Sequence, residues 1–268
     1  MATGAVAGLL GGTDRHRYGC FNAGLVDGAP RMGDAGVGRR SGVDMEYRGV
    51  IDRGELGAGF FPAAMVWQPI IALATGKILG HEALARFAAA SPPAVFDLAR
   101  EQGLSQTLDA QCIAAAIRHT PRSGLIFLNV TAATVRSGAF PPIPDTLKDR
   151  VVWELPETPG WYPRDLPQNL VLALDDVVVG HAELVRLSTI SWLYVKVDRD
   201  LVDGVARRPE KQVVIYELLE RARQQGGFII AEGVEREEDA AWLTQTGVTY
   251  GQGFLWGHPQ ALDQRALP

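Results

Sequence analysis

From about Met45 onward the chain alternates short apolar runs with longer stretches whose apolar positions recur at helical spacing. The runs span Met65 to Leu73, Ile78 to Leu84, Leu125 to Val130, Val151 to Leu155, Leu170 to Leu174, Leu193 to Val197, Phe228 to Ala231 and Val248 to Leu255. Their lengths suit buried strands. Between them, Pro93 to His119 and Pro209 to Gln225 predict helices; the second opens on Pro-Glu and stops at Gly226-Gly227, as a helix C-terminus should. A third helix is predicted over Arg236 to Thr246, ended by Gly247. Helices alternating with eight strand candidates predict an α/β fold whose parallel sheet closes into a (β/α)8 TIM-type barrel. Residues 1–44 are rich in Gly, Ala and Arg and keep no period, which predicts a flexible N-terminal leader ahead of a barrel domain over residues 45–268.

Composition narrows the partners. A hydrophobic share of 47% is ample for one large core. The net charge of −5 provides no field for duplex DNA, RNA or an anionic membrane, so an anionic ligand would need a local site and no nucleic-acid polymer is expected. Cys20 and Cys112 have no partners at metal-ligand spacing, and neither a secretory signal nor a membrane-length apolar stretch is visible. A cytoplasmic setting is expected.

The candidate chemistry lies at the strand ends. Nearly every run finishes on a residue able to bind a metal or a phosphate: Glu82, Asn129, Glu154, Asp175 with Asp176, Lys196, Glu232 and Gln252. Any one of these is explained by a strand entering solvent. As a set they comprise five carboxylates, two amides and one lysine, where random strand ends would also supply Ser, Thr and Gly. In a barrel all of them converge on the C-terminal mouth, where such folds carry their sites. Crowded carboxylates raise one another's pKa and need cations. An all-oxygen set without Cys or His favours Mg²⁺ or Mn²⁺. The adjacent Asp175 and Asp176, both aimed inward at a strand end, would let one bridge two ions, and two ions roughly 3.5–4 Å apart clamp a phosphodiester for attack by water.

Glu82-Ala83-Leu84-Ala85-Arg86 resembles the EAL-x-R signature of bacterial cyclic di-GMP phosphodiesterases, the EAL family. The likeness continues in order through Gln68-Pro69-Ile70, Asn129-Val130-Thr131, Glu154-Leu155-Pro156-Glu157, Asp175-Asp176, Lys196-Val197-Asp198, Ala231-Glu232-Gly233-Val234-Glu235 and Gln252-Gly253. The resemblance implies an EAL-type barrel hydrolysing cyclic di-GMP to linear pGpG with a two-metal Mg²⁺ or Mn²⁺ site. It implies that Glu82, Asn129, Glu154 and Asp175 hold the first ion, and that Asp175 bridges to a second placed by Asp176 and Glu232. Lys196 would contact the attacking water and Gln252 would orient water. Gln68 and Arg86 would meet the substrate, Arg86 through a phosphate; the plainer reading of Arg86 is an ion pair with Glu82. Glu157 would anchor the loop after Asp176, and Glu235 would support the site from behind. Pairing of two copies through the barrel is common in the family, and no regulatory partner is legible.

Three departures and several plain readings complete the picture. After the Asp pair the family carries Phe-Gly-Thr/Ala-Gly, whereas here Val177-Val178-Val179-Gly180 stand, and stiff β-branched residues in place of Gly are expected to weaken turnover. Pro156 replaces a Thr and so removes a hydroxyl and a backbone donor beside Glu154. The segment between Glu82 and Asn129 is shorter than usual. The alternative function is therefore an inactive EAL-like domain that serves as a cyclic di-GMP receptor or a protein-interaction module. A Schiff-base aldolase using Lys196 is disfavoured, because surrounding carboxylates hold a lysine charged. His81 is expected to face the helices, and Cys112, Trp153, Trp192 and Trp256 to pack in the core.

Overall fold

A computed structural model describes residues 61–88, 90–156, 166, 170–177 and 187–262. The leader of residues 1–44, together with Cys20, Glu157, Val178, Val179 and Gly180, lies outside the described residues. Eight strands close into a barrel in sequence order: β1 Pro62–Ala72, β2 Lys77–Phe87, β3 Leu125–Asn129, β4 Val151–Leu155, β5 Leu172–Val177, β6 Tyr194–Val197, β7 Phe228–Ala231 and β8 Tyr250–Gln252. The described helices are α1 Pro92–Glu101, α2 Ser105–Arg118, α3 Ala132–Ser137, α4 Arg199–Val202, α5 Pro209–Gln225 and α6 Glu237–Thr246.

The sheet is not parallel throughout. β1 runs antiparallel to both β2 and β8, while every other neighbouring pair is parallel. The connection from Ala72 to Lys77 is a tight turn in which Thr75 and Gly76 both donate to the Ala72 carbonyl and Gly76 takes φ of 68°. Too short for a crossover, such a turn forces a hairpin. The predicted helix over Pro93 to His119 is likewise two helices, α1 and α2, broken at Gly103 with φ of 70°. The helices over Pro209–Gln225 and Glu237–Thr246 end on left-handed Gly226 and Gly247, as their sequences predict.

Side chains fill the barrel in layers. Ile70, Phe127, Val152, Ala173, Tyr194, Ile230 and Tyr250 form a dry floor of buried residues. A larger apolar shell, including Trp67, Ile126, Trp153, Val195, Leu218 and Leu243, packs the barrel wall against its helices. Because strand side chains alternate, the residues two positions beyond the floor point inward again, one layer nearer the C-terminal mouth. Phe127, Val152, Tyr194 and Ile230 are thus followed by Asn129, Glu154, Lys196 and Glu232. Among the described residues no helix is long and apolar enough to cross a membrane.

Candidate active site

Each strand delivers a polar side chain to the layer above the floor. Gln68 comes from β1, Glu82 from β2, Asn129 from β3, Glu154 from β4, Asp175 and Asp176 from β5, Lys196 from β6 and Gln252 from β8, while Glu232 follows β7 directly. Lys196 stands at the centre. Its Nζ lies 2.8 Å from Glu154 Oε1, 2.8 Å from Asp175 Oδ1, 2.8 Å from Glu232 Oε1 and 3.4 Å from Glu82 Oε2. Asn129 Nδ2 donates to Glu82 Oε1 at 3.0 Å, and Gln252 Nε2 donates to Glu82 Oε2 at 2.7 Å and to Gln68 Oε1 at 3.1 Å. Gln68 Nε2 in turn donates to the Gly257 carbonyl at 3.2 Å.

The Asp pair reaches this site by a route the sequence does not announce. It sits on an irregularity inside β5 and not at the strand end: the register with β6 shifts between Leu174 and Val177, and Asp176 takes φ of 53°. A bulge re-aims side chains that would otherwise face opposite ways. Carboxylate oxygens of Asp175, Asp176 and Glu232 consequently lie within 4.8 Å of one another. Val177, at the position of the family's Phe, is fully buried and paired with Val197.

The charge balance is strained. Burial and the neighbouring Glu82 push the Glu154 carboxyl well above its usual range. Burial likewise pushes Glu232 up to about 8, although Lys196 opposes it, and burial with Asp175 pushes Asp176 up to about 6. Glu82 behaves differently: burial pulls it upward, but Lys196 and the amides of Gln252 and Asn129 outweigh that and hold it below the ordinary value. For Lys196, burial favours the neutral amine, yet Asp175, Glu154, Glu232 and Glu82 together hold the ammonium well above its ordinary range. Five carboxylates therefore share one fixed cation. Glu154 Oε2 and Gln252 Oε1 are buried with no hydrogen bond among the described residues. Orphaned hard oxygens beside acids pushed toward protonation are the donor set a Mg²⁺ or Mn²⁺ ion would satisfy.

The remaining candidates fall outside the cage. Arg86 donates to the Ala85 carbonyl at 3.0 Å and has no carboxylate partner among the described residues, so the plain reading of an ion pair with Glu82 is not what the structure contains. Glu235 pairs with Arg199 at 3.0 Å instead of touching the cage. His81 is held below its ordinary pKa by burial and by Arg150, whose guanidinium bonds the carbonyls of Gly124 and Pro121 at the N-terminal end of the barrel. Cys112 is buried and its thiol is pushed up to about 12, by burial and then Asp109. Trp153 and Trp192 are core residues, and Trp256 packs over Gly251.

A family model described as "EAL domain" matches residues 62–259. The chain belongs to the EAL domain family. Among curated EAL relatives, a probable cyclic di-GMP phosphodiesterase, PdeB of Escherichia coli (strain K12), is 29% identical over 220 residues, covering 71% of this chain and 41% of PdeB. The cyclic di-GMP phosphodiesterase PdeL of the same organism is 27% identical, covering 72% of this chain and 61% of PdeL. The chain thus spans less than two thirds of either relative. The fold is shared with a standalone versatile EAL protein from Vibrio cholerae O395 in its c-di-GMP-bound form, at a TM-score of 0.60 and 21% identity over 74% of this chain and 92% of that one. Klebsiella pneumoniae BlrP1, in a manganese and cyclic di-GMP complex, gives a TM-score of 0.62 at 23% identity over 74% of this chain and 56% of that one.

Proposed function

We propose that this EAL barrel is a metal-dependent phosphodiesterase that opens cyclic di-GMP to linear pGpG. The observation that carries the reading is the cage itself, in which four carboxylates from separate strands converge on one lysine at 2.8–3.4 Å. Glu82, Asn129, Glu154 and Asp175 would hold a first ion. Asp175, Asp176 and Glu232, whose oxygens already lie within 4.8 Å of one another, would hold a second. Two Mg²⁺ or Mn²⁺ ions would neutralise phosphate charge and lower the pKa of water. Lys196 would steady the attacking oxygen and Gln252, hydrogen-bonded to Glu82, would orient it. To give pGpG, the water oxygen bonds to one phosphorus, the ring P–O3′ bond breaks, and the leaving oxygen takes up a proton while the new 5′-phosphate is released. Arg86 and the buried Gln68 would bind the nucleotide, Glu157 would anchor the loop after Asp176, and Glu235, paired with Arg199, would support the site from behind.

The test is incubation of the purified protein with cyclic di-GMP and Mn²⁺ or Mg²⁺, followed by chromatography for pGpG. The receptor reading is favoured by one feature, the burial of Val177 within the β5 ladder where the family carries Phe. Nucleotide bound at stoichiometry with no pGpG formed would establish it in place of the enzyme.

Two further outcomes are expected. Glu232, at about 8, carries a proton at neutral pH, so Mn²⁺ binding at pH 7 should expel protons and tighten as pH rises from about 6 to about 8. Calorimetry in buffers of different ionisation enthalpy measures this, and a binding heat independent of buffer would contradict it. Replacing Arg86 by Ala should weaken cyclic di-GMP binding by about 1.5–3 kcal/mol, the worth of a charge-assisted contact. An unchanged affinity in titration calorimetry would remove Arg86 from the nucleotide site.

A further inference from the structure

Outside the mouth, two acidic side chains are buried among the described residues, Asp109 at 1% and Asp239 at 2% exposure. Both brace a loop that follows a strand. Asp239 on α6 accepts from the backbone N–H groups of Gly204 and Ala206 and from Arg236 Nε, well past Lys196 and beyond α4. Asp109 acts closer to the mouth. From α2 its Oδ2 accepts the Thr131 N–H at 2.9 Å, the Thr131 hydroxyl at 2.7 Å and the Thr134 hydroxyl at 2.5 Å.

Thr131 is the N-cap of α3, but its side chain makes no capping bond, because the hydroxyl is committed to Asp109. Two residues upstream, Asn129 is the last residue of β3 and turns its amide to Glu82 Oε1. Between them, the Val130 N–H donates to the Glu154 carbonyl. The backbone leaving Asn129 is therefore pinned on one side by the neighbouring strand and on the other by Asp109. Three donors converging on a single buried oxygen give that second anchor its stiffness, since a charged acceptor makes the stronger bonds.

We propose that Asp109 is the positioning residue of Asn129, fixing from α2 the angle at which the β3 amide enters the carboxylate cage. Its consequence for ion binding rests on the metal reading above; its effect on Asn129 does not. Outer partners of this kind typically change metal affinity by about 10–100-fold when removed.

The experiment compares Asp109→Ala with Asp239→Ala, matched in burial and in abandoning three donors each. Two quantities are measured on the full chain: the side-chain amide resonances of Asn129 in metal-free protein, assigned by their loss in Asn129→Ala, and Mn²⁺ affinity by calorimetry. Both variants should lose thermal stability. In Asp109→Ala the Asn129 pair should shift toward the position of a free amide, and Mn²⁺ affinity should fall at least about tenfold. Asp239→Ala should keep both at parental values. Asp109→Asn, which retains an acceptor oxygen, should restore most of the Asn129 shift. If Asp109→Ala does not fold, Thr131→Val removes one of the three bonds while leaving the carboxylate, and should move the same resonances. An Asn129 signal unmoved in the Asp109 or Thr131 variant, or moved equally in Asp239→Ala, overturns the proposal. If the parent takes up no Mn²⁺, the metal reading falls and the Asn129 resonances still decide whether Asp109 positions that amide.

Discussion

Replacing Lys196 by Met is expected to destabilise the metal-free protein by about 3–5 kcal/mol at pH 8, the range found when one member of a buried ion pair is removed. The ammonium is 2% exposed and is the counter-charge to four carboxylates. Methionine fills nearly the same volume, so the loss would be electrostatic and not a cavity effect. The deficit should depend on pH, with a sign that follows from the acids. Glu232, with a folded-state pKa of about 8 against an ordinary value of 4.5, binds its proton more tightly when folded. Its contribution to stability is fully present below the ordinary value and is lost as pH rises through about 8. Lys196 opposes that upward shift, so its removal should raise the folded-state value further and enlarge the loss at high pH. Urea denaturation with EDTA present should show a small deficit at pH 5 and the full one at pH 8. Millimolar Mn²⁺ should stabilise the variant more than the parent, because an added cation takes over the missing charge. Equal deficits at both pH values, or none, would mean that the carboxylates are balanced by something other than this ammonium.

How much of this is legible in the sequence depends on which physical signal each feature leaves. The strands are buried on both faces, so they read as plain apolar runs, and the polar residue closing each run marks the mouth. The hairpin of β1 and β2 was legible as well: four residues between Leu73 and Ile78 cannot hold a crossover, yet alternation elsewhere pointed to a sheet parallel throughout. The break at Gly103 was hidden because the apolar spacing of α1 and α2 carries through it, and one glycine inside a helical pattern is tolerated often enough to be passed over. The bulge that turns Asp176 inward left no signal, since a positive φ at an aspartate is a property of the backbone it is held in. Lys196 is legible as a strand-end cation among carboxylates, but which four acids it touches is not, because that depends on the stagger of the closed barrel. Asp109 was missed altogether. One acid in the α2 sequence reads as a solvated position, and its donors lie 22 and 25 residues away.

Exchange of Glu82 for Gln is expected to reduce hydrolysis of cyclic di-GMP at least about 100-fold, a barrier increase of roughly 2.7 kcal/mol, while leaving the fold intact. The hydrogen bonds around Glu82 allow the fold to survive the exchange. Glu82 accepts from Asn129 Nδ2 through one oxygen and from Gln252 Nε2 through the other. A glutamine with its oxygen toward Asn129 would set an NH₂ group against the Gln252 donor. Gln252 carries a buried Oε1 with no hydrogen bond among the described residues, however, and rotating its amide would present that oxygen to the new donor. The donor now given to Gln68 would be displaced and the two bonds Glu82 accepts would become neutral, losses set against the relief of one negative charge in a cage of five carboxylates and one ammonium. Loss of charge is the larger effect on function. The cage would keep its shape with one anion fewer, Lys196 would lose its 3.4 Å partner, and a hard cation would meet an amide where it needs a carboxylate. Melting temperature, Mn²⁺ affinity and pGpG formation should therefore part company in this variant: the first close to parental, the second weakened, the third nearly abolished. Parental turnover at saturating Mn²⁺ would remove Glu82 from the metal set, whereas an unfolded variant would show that its buried carboxylate is chiefly a structural counter-charge to Lys196.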